Sequence, residues 1–370
     1  MEPLYGKVRD YAWGSRRAIA GIQGRPVPSD GPEAELWLGA HDGAPADLAG
    51  RSLPEALAAD PAGLLGERVV AEFGVRLPYL FKVLAADAPL SIQAHPDAAR
   101  AADAFAAGHP SYCDPYHKPE LLVAVEEFDA LCGFRDPAES AALLESLGVD
   151  AVKPVVEALR TGTAADRLRG ALELLTSWPV EDRVDLVSAV AAASPFAAGL
   201  AAHHPGDVGV VIALLLNRVR LGADDAVWMP AGNLHAYLRG VGVEIMAASD
   251  NVLRGGLTPK RVDVAELLRI LRFEVLADPV VHPVPVAPGL VTWPAPVREF
   301  ALYKATLTGA PVTLPADGPR IVFCLRGTAD LGPLELHGGE AALVGAAEPA
   351  VTCRGQGVIF QADTATHALR

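Results

Sequence analysis

Cysteine is sparse in this chain of 370 residues. There are four, Cys113, Cys132, Cys324 and Cys353, and no Cys-x-x-Cys pair. This argues against a disulfide framework and suits a reducing cytoplasm. Positive charge is also in short supply. Lys and Arg number 31 against 45 Asp and Glu, a formal net charge of −14, and no Lys/Arg run relieves it. Such a surface repels nucleic acid and anionic membrane, so neither is expected as a partner. A small anion can still bind where basic side chains are locally concentrated. Long apolar runs are missing too. The longest in the second half, Val208 to Leu216, is too short to span a bilayer. The start, Met1-Glu2-Pro3-Leu4-Tyr5-Gly6-Lys7, has no basic region leading into an apolar stretch, so no signal peptide is expected. Hydrophobic residues at 51% and charged ones at 21% leave ample material for a core, and the length suits two or three domains.

The stretch Pro89-Leu90-Ser91-Ile92-Gln93-Ala94-His95-Pro96 organises the rest. On a strand, alternate side chains leave the same face, so Gln93 and His95 point into one space. Three later features join them: Glu120 after His117-Lys118-Pro119, His235 after Pro230-Ala231-Gly232-Asn233-Leu234, and Arg254 inside Ser249-Asp250-Asn251-Val252-Leu253-Arg254. Glu120 opens an apolar strand, where an unpaired carboxylate costs several kcal/mol, so a cation is expected beside it. Two imidazoles, a carboxylate and an amide oxygen make a borderline N/O donor set. It suits zinc, and equally iron, manganese or cobalt. We therefore expect Gln93, His95, Glu120 and His235 to hold one divalent ion, with basic residues nearby for a phosphorylated sugar.

Along the chain, Tyr11–Gly14 and Ala34–His41 read as short strands between turns, with Glu35 and His41 as polar-face residues and Trp13 and Trp37 as wall. Ser52 with Glu55 has the pattern of a capping box opening a helix to Leu65. Leu77–Leu84 is an apolar strand carrying Lys82, read as an edge lysine or a buried anion ligand. A helix follows to Ala107, with Ala98, Ala101, Ala102 and Phe105 as its apolar stripe. From Asp136 the pattern turns helical, over 138–147, 153–160, 164–176 and 181–193. Asp207 is read as the cap of a further helix through Arg220, and Asp263 of one through Leu271. The turn at Pro230–Leu234 is expected to return the chain antiparallel to the strand before it, and His235 and Tyr237 share a face. After Phe273 short strands alternate with Gly and Pro turns, and His337 and His367 stand alone.

The expected fold is mainly β with an α-helical insertion: residues 1–135 and 206–272 as one barrel, 136–205 as a helical domain, and 273–370 as a second β domain. The Pro230-x-Gly232-x-x-His235 turn resembles the second motif of the cupins. The first motif departs from the usual His-x-His, since Gln93 stands in place of the first His and Glu120 comes late. That departure resembles the type I mannose-6-phosphate isomerases. Tyr11-Ala12-Trp13-Gly14, Glu35-Leu36-Trp37, Ser91-Ile92-Gln93-x-His95-Pro96, His117-Lys118-Pro119-Glu120, His235-Ala236-Tyr237 and Ser249 to Lys260 are all similar to motifs of that family.

The resemblance implies two cupin-type jelly-roll barrels and a cytoplasmic, zinc-dependent aldose–ketose isomerase, monomeric or weakly homo-oligomeric. It would interconvert mannose 6-phosphate and fructose 6-phosphate and feed GDP-mannose metabolism. By the same resemblance Gln93, His95, Glu120 and His235 are the ligands and Arg254 is catalytic, with Lys118, Tyr237, Glu244, Asp250 and Lys260 lining the pocket. The chemistry agrees with these residue types. Moving a proton between C2 and C1 through a cis-enediol needs an acid–base group and positive charge beside the developing enediolate. Arg254 stays charged, so it is a stabiliser or phosphate ligand. The proton carrier is Lys118, Asp250 or Glu244, and the sequence does not choose. Ser91, Lys82 and Lys260 are the phosphate candidates. Two other readings compete, a cupin dioxygenase using iron and a non-catalytic sugar-phosphate binder, since one barrel hosts many functions.

Overall fold

The computed structural model describes residues 1–365. His367 lies outside the described residues. Two eleven-stranded antiparallel sheets carry the chain. The first is built around one long strand, His235–Ala247. Its second half lies between Tyr79–Ala86 and Glu120–Ala124, and its first half pairs with Phe128–Phe134 and touches Ile92–Ala94 at His235. The strand bends between these halves at Gly240, where φ is +132°. A Cβ there would meet the Glu127 carbonyl at 2.8 Å and the Phe128 ring at 2.6 Å, so no other residue turns this corner.

Alternation along the strands separates two interiors. Tyr79, Phe81, Val83, Leu121, Val123, Val243 and Ile245 point outward into a core shared with Trp293, Phe300, Ile321, Phe323 and Phe360 of the second sheet. Phe81 and Phe323 meet edge to face at 6.2 Å. The intervening residues, among them Leu80, Lys82, Leu84, Glu120, Leu122 and Glu244, face the other way, and all are buried. Burial on both faces is why these strands read as near-continuous apolar runs.

The second sheet holds Ala301–Thr308, Arg320–Asp330, Ala341–Val344 and Thr352–Asp363, against strands expected from the sequence over 298–307, 320–326, 341–344 and 357–361, so that one agrees and the others shift or run longer. It also holds the chain's first strand, Glu2–Tyr5, which pairs with Ala341–Val344. A division placing all of residues 1–135 in the first barrel does not anticipate this crossing. The helices span Pro137–Ser146, Lys153–Ala158, Ala164–Thr176, Arg183–Ala193 and Pro195–His203. They pack on the first sheet through Ile92, Leu131, Phe134, Leu216 and Ala236.

Four local expectations fail for identifiable reasons. The helix read from Asp207 stops at Ile212, and Leu216–Leu221 is a strand whose exposed Arg218 and Arg220 alternate with less exposed neighbours, paired to Phe128–Phe134. Asp207 instead accepts from the Gly209 and Thr258 amides. The Pro230 turn makes no hairpin: Ala226–Met229 and His235–Ala247 both pair with Glu120–Ala124, which lies between them. The helix Ala98–Ala106 buries Ala101 and Ala104 and leaves Phe105 exposed, so its stripe is rotated from the expected one. Tyr11–Trp13 forms a turn rather than a strand.

Candidate metal centre

The register brings distant residues into two rows. In an antiparallel sheet, directly opposed residues share a face. Arg254 opposes Gln93, Gln93 opposes His235, and His235 opposes Cys132, so one row crosses four strands. On the other half of the sheet, Trp37 opposes Lys82 and Lys82 opposes Glu244. His235 and Glu244 belong to one strand, and its bend at Gly240 brings the two rows into the same enclosure.

His95, Glu120 and His235 converge, each buried, with one donor atom apiece all within 4.8 Å of one another. Glu120 Oε2 lies 3.1 Å from His235 Nε2 and 3.4 Å from His95 Nε2. Both imidazoles are fixed from behind. His95 Nδ1 donates to the Asn251 carbonyl at 2.7 Å, and His235 Nδ1 to the Asn233 carbonyl at 3.1 Å. That assigns the Nε2 lone pair of each ring to the enclosure, as a metal ligand requires. The decisive sign is His95 Nε2, which is buried and has no hydrogen-bond partner among the described residues. A native interior seldom leaves such an atom unsatisfied, and a divalent ion shared by the three residues would satisfy it. Burial is the main cause that pushes the His95 imidazole down to about 4, against the pull of Glu120, which keeps it neutral and able to ligate. Burial opposes ionisation of Glu120, but His95 and Lys118 together hold it well below the usual carboxylate range; we assign that pull to Lys118, whose Nζ sits 3.2 Å from Glu120 Oε1.

A second buried chain of polar groups adjoins the first. Tyr237 OH donates to Glu244 Oε1 at 2.7 Å, and Lys82 Nζ lies 2.5 Å from Glu244 Oε2 and 3.2 Å from Glu35 Oε1. The Trp37 indole N–H donates to Glu35 Oε2 at 2.8 Å. Burial penalises the Lys82 ammonium, yet Glu244 and Glu35 hold it above its ordinary range. Glu244 is pushed up, chiefly by burial, with Lys82 opposing. Lys82 is therefore neither an edge lysine nor an unattached cation. Glu35 and Trp37, read as polar face and wall, are its partners. Glu35-x-Trp37 does carry the period-two signal for a shared face, but nothing in the sequence sets their register against Lys82.

The remaining candidates are placed as follows. Arg254 is half-buried beside Gln93. Asp250 is held at the rim, its carboxylate 2.9 Å from His41 Nε2 and its amide donating to Asp114. Asn251 is wholly buried and ties Cys113, Asp114 and Tyr116 to the loop that supports His95. Asp114 and Asn251 are supports that sequence reasoning passes over, because their partners, backbone groups together with the Ser249 hydroxyl and each other's side chains, lie on another loop. Ser91 is half-buried just before the strand Ile92–Ala94. Lys260 is exposed and lines a cavity of about 450 Å³ with Arg183, Asp207 and Thr258. A cavity of about 1060 Å³ lies between residues 3–6 and 325–341, and no triad residue lines it.

The description "Phosphomannose isomerase type I, catalytic domain" matches residues 1–137. Mannose-6-phosphate isomerase of Escherichia coli K12 is 36% identical over 96% of this chain and 98% of its own. The chain belongs to the type I phosphomannose isomerase family. Within the family, mannose-6-phosphate isomerase of Schizosaccharomyces pombe is 33% identical over 90% of each chain. A crystal structure of a mutant of phosphomannose isomerase from Salmonella typhimurium superposes with a TM-score of 0.91 at 33% identity, over 98% of this chain and 99% of that one. A mannose 6-phosphate isomerase bound with zinc and yttrium does so at 0.90, with the same identity and coverage. Family membership favours the isomerase over the dioxygenase and the non-catalytic binder.

Proposed function

We propose that this type I phosphomannose isomerase interconverts mannose 6-phosphate and fructose 6-phosphate, with one zinc ion held by His95, Glu120, His235 and Gln93. The observation that carries the reading is the buried, unpartnered His95 Nε2 facing Glu120 and His235. A divalent ion held by His95, Glu120, His235 and Gln93 would supply Lewis-acid stabilisation for developing negative charge on the substrate. The chain's own groups do the rest. Lys118, anchored to Glu120, and Arg254, beside Gln93, supply positive charge where the enediolate develops. Among the three proton carriers left open by the sequence, Glu244 is best suited. It is a buried carboxylate whose pKa burial raises above the ordinary range, the direction a proton carrier needs, and it is held in the enclosure by Tyr237 and Lys82. Tyr237 fixes its orientation through Oε1. Asp250 is least suited, because the hydrogen bond with His41 holds it below its ordinary range. Ser91 and Lys260 are the proposed phosphate contacts. Lys82, already committed to Glu244 and Glu35, is reassigned from phosphate ligand to partner of the proton carrier.

The proposal keeps the division at 1–135 with 206–272, 136–205 and 273–370, amended by the first strand. It places the enzyme in the cytoplasm as a monomer or weak homo-oligomer. Four free cysteines support a reducing compartment, and among the described residues no helix is long and apolar enough to cross a membrane. A coupled assay of mannose 6-phosphate turnover with and without a chelator tests substrate, reaction and metal together. Turnover indifferent to chelation and to zinc would sink the metal assignment.

A further inference from the structure

The motif His117-Lys118-Pro119-Glu120 is gripped from two sides. On one side, the Tyr116 carbonyl accepts from Ser249 and Asn251, and the Pro119 carbonyl accepts from the Ala247 amide. On the other side the contact comes from the C-terminal region. His117 Nε2 donates to Glu299 Oε1 at 2.6 Å, across 182 residues of sequence. The Glu299 side chain is only 16% exposed, and its other oxygen accepts the Arg298 amide at 3.2 Å. Its neighbour Phe300 is buried in the core between the sheets, 6.2 Å from the Trp228 ring. Trp228 opposes Leu121, one residue past Glu120.

We propose that Glu299 is a positioning residue through which the C-terminal domain holds His117, and thereby sets where Lys118 stands against Glu120. The inference rests on the isomerase reading for the role of Lys118. Its physical basis is that Lys118 ends in a flexible four-carbon stem, so the backbone that launches it decides where the ammonium can reach. Without Glu299, the Tyr116–Lys118 backbone keeps the loop contacts on one side and loses the side-chain hydrogen bond to His117 on the other. A displacement well under an ångström at a group that stabilises developing charge is felt in the chemical step more than in binding. The C-terminal domain then has a task in catalysis although it supplies none of the proposed catalytic or metal-binding side chains.

The test uses the full-length, zinc-loaded protein and four variants: Glu299→Ala, Glu299→Gln, His117→Ala, and the double variant Glu299→Ala with His117→Ala. The expected result is that each alanine variant lowers kcat by about tenfold with KM within about twofold. The double variant is no worse than either single one, since both remove the same contact. Glu299→Gln, whose amide oxygen still accepts from His117, is restored to within about threefold of the parent. Zinc stays at one per chain throughout. An unchanged kcat in Glu299→Ala overturns the proposal. So do additive losses in the double variant, a Glu299→Gln as impaired as the alanine, or a loss that follows zinc content or folded fraction. If the parent enzyme itself fails to turn over mannose 6-phosphate, the isomerase reading falls instead. The clamp is then read in amide hydrogen exchange over residues 116–120, which rises in Glu299→Ala and not in Glu299→Gln if the contact holds the segment.

Discussion

The two sheets are built from strands of similar length, yet their interiors differ in kind. The first encloses Lys82, His95, Glu120, His235 and Glu244, all buried. The second encloses chiefly apolar residues, Tyr303, Ala305, Val322, Cys324, Ala342 and Ile359, with Arg320, Gln361 and Asp363 as its few buried polar groups. A β-barrel interior can be a core or a site, and the difference lies in what compensates each buried charge. In the first sheet Lys82, Glu120 and Glu244 each face an ionisable group of the other type, and His95 Nε2, without a hydrogen-bond partner among the described residues, marks the place of the ion. The sharpest way to break this contrast is to remove the carboxylate both histidines face. Glu120→Ala is expected to lower zinc affinity by at least about a hundredfold, since even outer-shell changes cost roughly 10- to 100-fold. Turnover should fall with it. Metal analysis after dialysis, beside kcat, checks both. Full zinc occupancy in this variant would make the enclosure an ordinary buried ion-pair network.

The next test separates the metal set from the proton-carrying set. Glu244→Gln keeps the shape and leaves Lys82 with Glu35 alone. Its kcat should fall by about 10²–10⁴, the usual contribution of a general acid–base group, with zinc retained. C2–solvent proton exchange identifies the step; normal exchange in this variant would return the role to Lys118 or Asp250.

The contrast between the sheets also explains what the sequence discloses. Gln93-x-His95 and His235-x-Tyr237 are readable because period two fixes their faces without tertiary knowledge. Glu120 is readable because a carboxylate opening an apolar strand needs a cation. The link from Glu35 to Lys82 is not, because it depends on the register between strands some forty residues apart. The helix Pro195–His203 escapes detection because Ala and Leu lie all round it, leaving no stripe. The strand Leu216–Leu221 reads as helix because it directly continues a buried apolar run, Val208 to Leu215, that is itself helical from Gly209. Glu2–Tyr5 falls to the wrong sheet because a strand's sequence carries its pattern and not its neighbour.

A third test asks whether the second sheet is purely structural. Phe323 is fully buried between the sheets. Phe323→Ala should cost about 3–5 kcal/mol of stability by leaving a cavity. Denaturant midpoints report the loss. Below the transition kcat/KM should stay near the parent value, because Phe323 belongs to the apolar core outside the enclosure. A large fall in kcat with intact folding would mean the sheets are mechanically coupled beyond the Glu299 contact.

The smallest effect is expected from an acid of the second sheet that is buried without an ion pair among the described residues. Asp363 is wholly buried on the strand Thr352–Asp363. It accepts from the Asp317 and Thr364 amides, at 3.1 and 2.7 Å. Burial nevertheless dominates and pushes its carboxyl up to about 7. The native state therefore holds a proton there that the unfolded chain, with an ordinary Asp near about 4, has given up. Between about pH 4 and 7 the native state binds more protons, so stability falls as pH rises. The favourable contribution is complete below about pH 4 and gone above about pH 7. Across that window the retained proton changes stability by about 1.4 kcal/mol for each pH step of one, so the whole change reaches at most about 4 kcal/mol. Asp363→Asn cannot ionise and keeps one acceptor oxygen for the amides. Its stability relative to the parent should rise as pH goes from about 4.5 to about 8, measured as the difference in denaturation midpoint at each pH so that all other titrating groups cancel. Parallel curves would mean that the two amide donors stabilise the carboxylate as fully as Glu244 and Glu35 stabilise Lys82. Buried charge in the second sheet would then be compensated as completely as in the first.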